Sequence, residues 1–173
     1  MHALTEQQVR ACFVNASRRE AASATLPDLT AQRWDALDLL GWRDRKAPLL
    51  AYVVVPVDDE PVGVLLRAAD PGTGRARRRG VCAWCADVVA TEDVSLYVAR
   101  RAGAPGRRGD TVGTLVCTDL ACSRHVRRTP LLSEVGTASG PELPAARTAV
   151  VARRTAGLRE RSARFVEEVR RTA

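Results

Sequence analysis

Apolar and polar positions along the chain change period near residue 49. Before that point the spacing is helical, with Val9, Cys12 and Phe13 on one face. Thr5 can cap this helix, Gln8 stands at the capping-box position, and Leu4 can staple against Val9. Leu26-Pro27-Asp28 breaks the pattern. A second short helix is predicted over 30–40, with Trp34, Leu37 and Leu40 on one side and Gly41 as its stop. Residues 50–55 are then a β-branched run ended by Pro56. Asp58-Asp59-Glu60-Pro61 is turn chemistry, and residues 62–67 read as the returning strand of a β-hairpin. Pro71-Gly72-Thr73-Gly74 opens a loop that leads through Arg75-Ala76-Arg77-Arg78-Arg79-Gly80.

Residues 94–99 alternate like a strand, residues 103–110 read as a glycine-rich loop, and residues 111–116 return as a strand. Thr118 or Asp119 can cap a helix running through His125 to Arg128, where Thr129-Pro130 ends it. Ser133 to Gly140 is polar and glycine-containing. From Pro144 a helix of up to about 28 residues is predicted, because proline suits the first helical position. Its apolar stripe is Val151, Leu158, Phe165 and Val169, interrupted by Thr155 and Ser162, and its expected place is against the domain. The fold class is α+β: N-terminal helices, antiparallel β-hairpins and a long C-terminal helix. Residues 1–130 form the predicted domain, 131–143 a linker and 144–173 the terminal helix.

Four of the five cysteines fall into two tight pairs along this layout. Cys82-Ala83-Trp84-Cys85 places two thiols two residues apart, and Cys117 and Cys122 stand four residues apart, with 31 residues between the pairs. Buried apolar cysteines, a pair of disulfides, a redox CxxC and a metal site are the competing readings. Chance rarely collects cysteines into two short-range pairs. The opening Met1-His2-Ala3-Leu4-Thr5-Glu6 has no basic and apolar leader pattern, which argues for reduced thiols. A redox CxxC ordinarily works without a second pair. One structural zinc held by Cys82, Cys85, Cys117 and Cys122 accounts for both pairs. A knuckle, then a hairpin, then a strand-to-helix junction is the order of a treble-clef zinc finger, over about 80–128. Cys12 is left over and is expected in the core.

Charge sharpens this only locally. Basic residues number 27 and acidic ones 20, and Lys46 is the one lysine. The net charge is −2 over residues 1–70, +6 over 71–130 and +3 over 131–173. The excess follows the cysteine region and suggests either an acidic partner or a solvated arginine-rich surface. Arg100, Arg101, Arg107 and Arg108 on the hairpin, and Arg124, Arg127 and Arg128 on the following helix, are the candidate partner-binding residues. Trp84, between the first two cysteines, is the candidate exposed aromatic; the alternative is packing inside the finger. Nucleic-acid binding, to ribosomal RNA or DNA, is the rival reading, weakened by an aromatic content of 4%.

No apolar run approaches a membrane span, so a soluble, cytoplasmic protein is expected. No nucleotide loop and no deaminase signature appears. Four thiolates leave a zinc no open position for water, so the chain is read as a non-enzyme. His125 lies three residues after Cys122 and is assigned to the surface rather than to the metal. A zinc protein that releases its metal on thiol oxidation is a third, weaker reading.

Several segments together resemble a known family. They are Leu39-Leu40-Gly41-Trp42-Arg43-Asp44, Val62-Gly63-Val64, the CxxC knuckle, Ser95-Leu96-Tyr97-Val98-Ala99-Arg100-Arg101-Ala102-Gly103, and above all the stretch from Gly109-Asp110-Thr111 through Cys117 to Cys122-Ser123. The resemblance, over about 4–128, is to the treble-clef zinc-finger domain of elongation factor G-binding proteins, which include the fusidic acid resistance proteins. It implies a binding protein whose finger docks on elongation factor G and helps it leave the ribosome. It also maps the four cysteines onto the family's metal ligands. Resistance members carry an amino-terminal helical bundle before the zinc domain; this chain departs from them in lacking that pattern and in its long terminal helix. A role in antibiotic resistance therefore does not carry over with the fold.

Overall fold

Residues 1–68, 80–87 and 93–172 are described by the computed structural model of the chain. The expected loop at 71–74 and the arginines at 75–79 lie outside these residues. Thr5 opens helix α1 (Glu6–Ala11) with the predicted capping box. Its hydroxyl accepts from the Gln8 amide at 3.2 Å, and its own amide donates to Gln8 Oε1 at 2.8 Å. Helix α2 (Arg18–Ser23) starts on a second such box, Ser17 with Glu20. Six-residue helices do not stand alone in water, so tertiary packing holds them. Val9 is fully buried in a cluster with Leu40, Trp42, Tyr52, Val54 and Leu65.

The helix expected over 30–40 is not formed. A single 3-10 turn, Trp34–Ala36, is followed by strand β1 (Leu40–Arg43). Tertiary contacts take the groups a helix would have used. The Asp38 amide donates to Ser123 Oγ at 3.0 Å, and the Trp34 and Leu37 carbonyls accept from the Met1 amino group. Leu40 and Trp42 instead pair with Val54 and Tyr52.

Strands β2 (Leu50–Val57) and β3 (Glu60–Ala68) form the predicted hairpin, with Pro56 inside the strand and opposite Pro61. Asp58 and Asp59 both have positive φ, 49° and 65°, the turn geometry whose twist matches flanking strands. Strands β4 (Val94–Arg100) and β5 (Thr111–Cys117) complete an antiparallel sheet of order β1-β2-β3-β4-β5. Part of the expected glycine-rich loop between them is a helical turn, α3 (Gly103–Arg107). A Cβ on Gly106 would lie 1.8 Å from the Arg101 carbonyl oxygen, so the turn closes only on glycine.

Both faces of the central strands are covered, which is why their sequences run apolar without a break. One face carries Tyr52, Val54 and Leu65 against the N-terminal segments, where Trp42 stacks on Tyr52 at 5.1 Å. Cys12 sits there as expected; burial pushes its thiol up to about 11, so it stays protonated and packs as a small apolar group. The other face carries Val53, Val55, Val64 and Leu66 against the cysteine region and the terminal helix.

After the short helix α4 (Cys122–His125), helix α5 (Leu143–Arg170) runs 28 residues and docks on that second face. Leu158, Phe165, Val166 and Val169 are buried, each contributing about 1.5–3 kcal/mol. The stripe is shifted at its start, where Val150 is buried and Val151 only half-buried. Ser162 is buried too, with its hydroxyl donating to the Leu158 carbonyl at 2.9 Å.

Ion pairs clasp this helix to the rest. The fully buried Asp38 carboxylate accepts from Arg127 and, at 2.8 Å, from Arg159 Nε on α5. Glu134 is shared between Arg128, at 3.0 Å, and Arg154 on α5. Partial burial pushes the Glu134 carboxyl up, but Arg154, the Leu131 amide and Arg128 pull it down further, to about 2.

Two outcomes follow from the clasps. Asp38→Ala takes the buried carboxylate away from Arg127 and from the largely exposed Arg159, and should lower unfolding free energy by about 1.5–3 kcal/mol in urea titration; an unchanged unfolding free energy would contradict the clasp. Glu134 has a depressed folded pKa, so its stabilisation is complete above its unfolded value near 4.5 and is lost as pH falls toward about 2. The stability gap between wild type and Glu134→Gln should therefore hold from pH 8 to 5 and shrink by pH 3. A constant gap would contradict the assignment.

Candidate metal centre

Two tight turns bring the cysteines together. In the first, the Trp84 and Cys85 amides both donate to Cys82 Sγ at 3.4 Å, and the Ala86 amide donates to the Cys82 carbonyl at 2.9 Å. In the second, strand β5 delivers Cys117, the Leu120 amide donates to its carbonyl at 2.9 Å, and α4 begins at Cys122. Each turn forces a residue with a side chain into the left-handed region: Ala86 at φ 52° and Leu120 at φ 57°. That conformation costs roughly 1–2 kcal/mol per residue, so something in the site must offset it. The Ala83 amide donates to the Leu115 carbonyl at 2.8 Å and ties the knuckle to β5.

All four sulfurs lie within 4.8 Å of one another and all four side chains are buried. Cys82 and Cys122 are 3.6 Å apart, as are Cys85 and Cys117. Four sulfurs at about 2.3 Å from one tetrahedral zinc stand about 3.8 Å from each other, so the set fits that ion closely. The donor chemistry agrees. Hydrogen bonds from the Cys117 and Cys122 thiols hold the Cys82 thiol well below its usual range. Hydrogen bonds to Cys117, Cys82 and Cys85 push the Cys122 thiol far up. Such a cluster cannot carry four negative charges by itself, and one divalent cation replaces its protons. The four buried cysteines are positioned to bind one zinc ion. With all four positions taken by sulfur, the ion's contribution is to fix the two turns.

Trp84 corrects an expectation. It is 1% exposed, its ring lies 5.4 Å from that of Phe165 on α5, and its carbonyl accepts from Arg161 Nε at 2.7 Å. It therefore packs the knuckle onto the terminal helix and offers no ring to a partner. His125 is also not free at the surface: it is half-buried, with Nδ1 3.2 Å from Cys117 Sγ.

The arginines do not form a single open face. Arg100 pairs with Glu20 at 2.7 Å and Arg101 with Glu168 at 2.8 Å. Arg127 holds Asp38, and Arg128 holds Asp87 and Glu134. Arg124 reaches Asp119 at 2.8 Å but leaves 73% of its side chain exposed. Arg107 and Arg108 are exposed at the α3 turn. Sequence reasoning missed the carboxylate partners, which lie as far as 121 residues away in the case of Arg159 and Asp38. No local signal marks such pairs. The Ser123 contact to Asp38 was likewise invisible.

A family model described as the FBP C-terminal treble-clef zinc-finger matches residues 8–169. The chain belongs to that family, and the match takes in α5 as well as the cysteine turns. Neither the curated proteins nor the solved structures give a match. Among the described residues, no helix is long and apolar enough to cross a membrane.

Removing one thiolate should open the site. Cys117→Ser is expected to drop bound zinc from about one per chain to well below half, measured by elemental analysis after gel filtration, with loss of the finger's protected amides in hydrogen exchange. Unchanged zinc and unchanged protection would contradict the assignment. Because the ligands bind as thiolates, zinc affinity should also fall as pH is lowered.

Proposed function

We propose that this member of the FBP C-terminal treble-clef zinc-finger family is a binding protein that docks on elongation factor G and promotes its release from the ribosome. The observation that carries the reading is the outer face of the β4–β5 hairpin. Leu96 and Leu115 are direct cross-strand partners, 47% and 39% exposed, and Val81, 49% exposed, stands in the segment whose Ala83 amide donates to the Leu115 carbonyl. A Cβ on Gly80 would lie 3.0 Å from Leu115 Cδ2, so the segment entering the knuckle continues the same patch. Single exposed leucines are ordinary, but a contiguous apolar patch on a rigid hairpin is what a protein interface uses. Its partner is named by the resemblance to elongation factor G-binding proteins. A closed four-thiolate site supports a non-catalytic role for the metal.

The geometry favours a protein partner over nucleic acid. Arg101, Arg127 and Arg128 are engaged with Glu168, Asp38, Asp87 and Glu134, so these side chains are not offered to phosphates. Arg107, Arg108 and Arg124 remain as a basic fringe for an acidic protein surface. Antibiotic resistance would be one consequence of such release, and ordinary translation another.

The test is affinity for purified elongation factor G by calorimetry, with wild type, Leu96→Glu/Leu115→Glu and Arg107→Glu/Arg108→Glu. The leucine pair should weaken binding at least tenfold, since each glutamate would bring an unpaired charge into an apolar contact. The arginine pair should weaken it chiefly at low salt. Absence of binding by the wild-type protein would refute the reading. Tight, steeply salt-dependent binding to ribosomal RNA without the factor would favour the nucleic-acid alternative.

A further inference from the structure

His125 reaches the metal centre without belonging to its ligand set. The ring is placed by the same helix that delivers Cys122: the His125 amide donates to the Ala121 carbonyl at 3.2 Å, and the Cys122 and His125 side chains leave the helix one turn apart. Its Nδ1 stands 3.2 Å from Sγ of Cys117, which arrives from strand β5. That distance suits an N–H···S hydrogen bond. A zinc-bound sulfur carries no proton, so the contact is attractive only when the ring's proton is on Nδ1. Cys82 receives comparable support from the Trp84 and Cys85 amides, at 3.4 Å each. For Cys117 the donor is a side chain and can be changed.

We propose that His125 is a positioning residue for the metal centre, donating Nδ1–H to the Cys117 thiolate. The hydrogen bond aims the sulfur at the ion and withdraws charge from it. Cys117 thereby becomes slower to leave the metal and less nucleophilic toward electrophiles. It also bridges two elements, β5 and α4, whose relative placement the finger depends on. Outer hydrogen bonds of this kind orient ligands and tune the metal, and their loss typically lowers metal affinity about 10–100-fold.

The experiment compares wild type, His125→Ala and His125→Asn, the last because its side-chain amide nitrogen can take the place of Nδ1. Zinc affinity is read by competition with a chromogenic chelator. Release on treatment with N-ethylmaleimide gives ligand reactivity, and cobalt-substituted protein gives the sulfur-to-metal charge-transfer band. His125→Ala should lose affinity about 10–100-fold, release metal faster and move the band to longer wavelength, because the thiolate is no longer stabilised. His125→Asn should recover most of all three. Wild-type affinity and band position in His125→Ala would overturn the proposal. So would His125→Asn as weak as His125→Ala with the band unmoved in both, which would mean packing alone. Loss of the tetrahedral cobalt spectrum in His125→Ala would make His125 a ligand and overturn it as well. Band position is read on the loaded, folded fraction, so a partly unstable variant still decides the question.

Discussion

Four thiolates within 4.8 Å of one another are untenable in a buried volume unless a cation takes up their charge. That constraint organises everything around it. Zinc binding offsets the left-handed backbone at Ala86 and Leu120, and so permits the two turns that aim the sulfurs inward. Once the turns exist, the knuckle hands Trp84 to Phe165 and its carbonyl to Arg161, and the terminal helix has a seat. The metal thus acts at a distance on a helix that provides no ligand.

The same logic explains the arginines. A chain with a formal net charge of +7 invites a reading in terms of phosphate binding. Yet Arg101, Arg127, Arg128 and Arg154 are engaged in holding α5, the finger and the N-terminal region to one another through Glu168, Asp38, Asp87 and Glu134. Among the described residues, Arg107, Arg108 and Arg124 keep exposed side chains. Such clasps determine which surfaces remain for a partner.

The sequence was most informative where the determinants are local. The thiol pairs are two and four residues apart, and the β2–β3 hairpin is written in an apolar run on each side of Asp58-Asp59, so both were legible. The Ser17 and Glu20 capping box is equally local and marks the start of α2. Residues 30–40 satisfy a helical period, and distant groups, among them the Ser123 hydroxyl, the Met1 amino group and strand β2, turn them into a strand approach. Trp84 was undecidable between partner and core because its neighbour Phe165 comes 81 residues later. The metal ligands, in short, follow from spacing, whereas the free surface emerges only after long-range pairing is subtracted.

In the proposed function zinc is a scaffold for a protein-binding face, with no chemistry of its own. The most direct measurement is the affinity of the zinc-loaded protein for elongation factor G, followed by the same titration after chelation and again after zinc is restored. Binding is expected in the loaded state, with a loss of at least tenfold on chelation as the hairpin and α5 loosen, and recovery on reloading. Equal affinity with and without zinc, or no binding in the loaded state, would contradict the scaffold role.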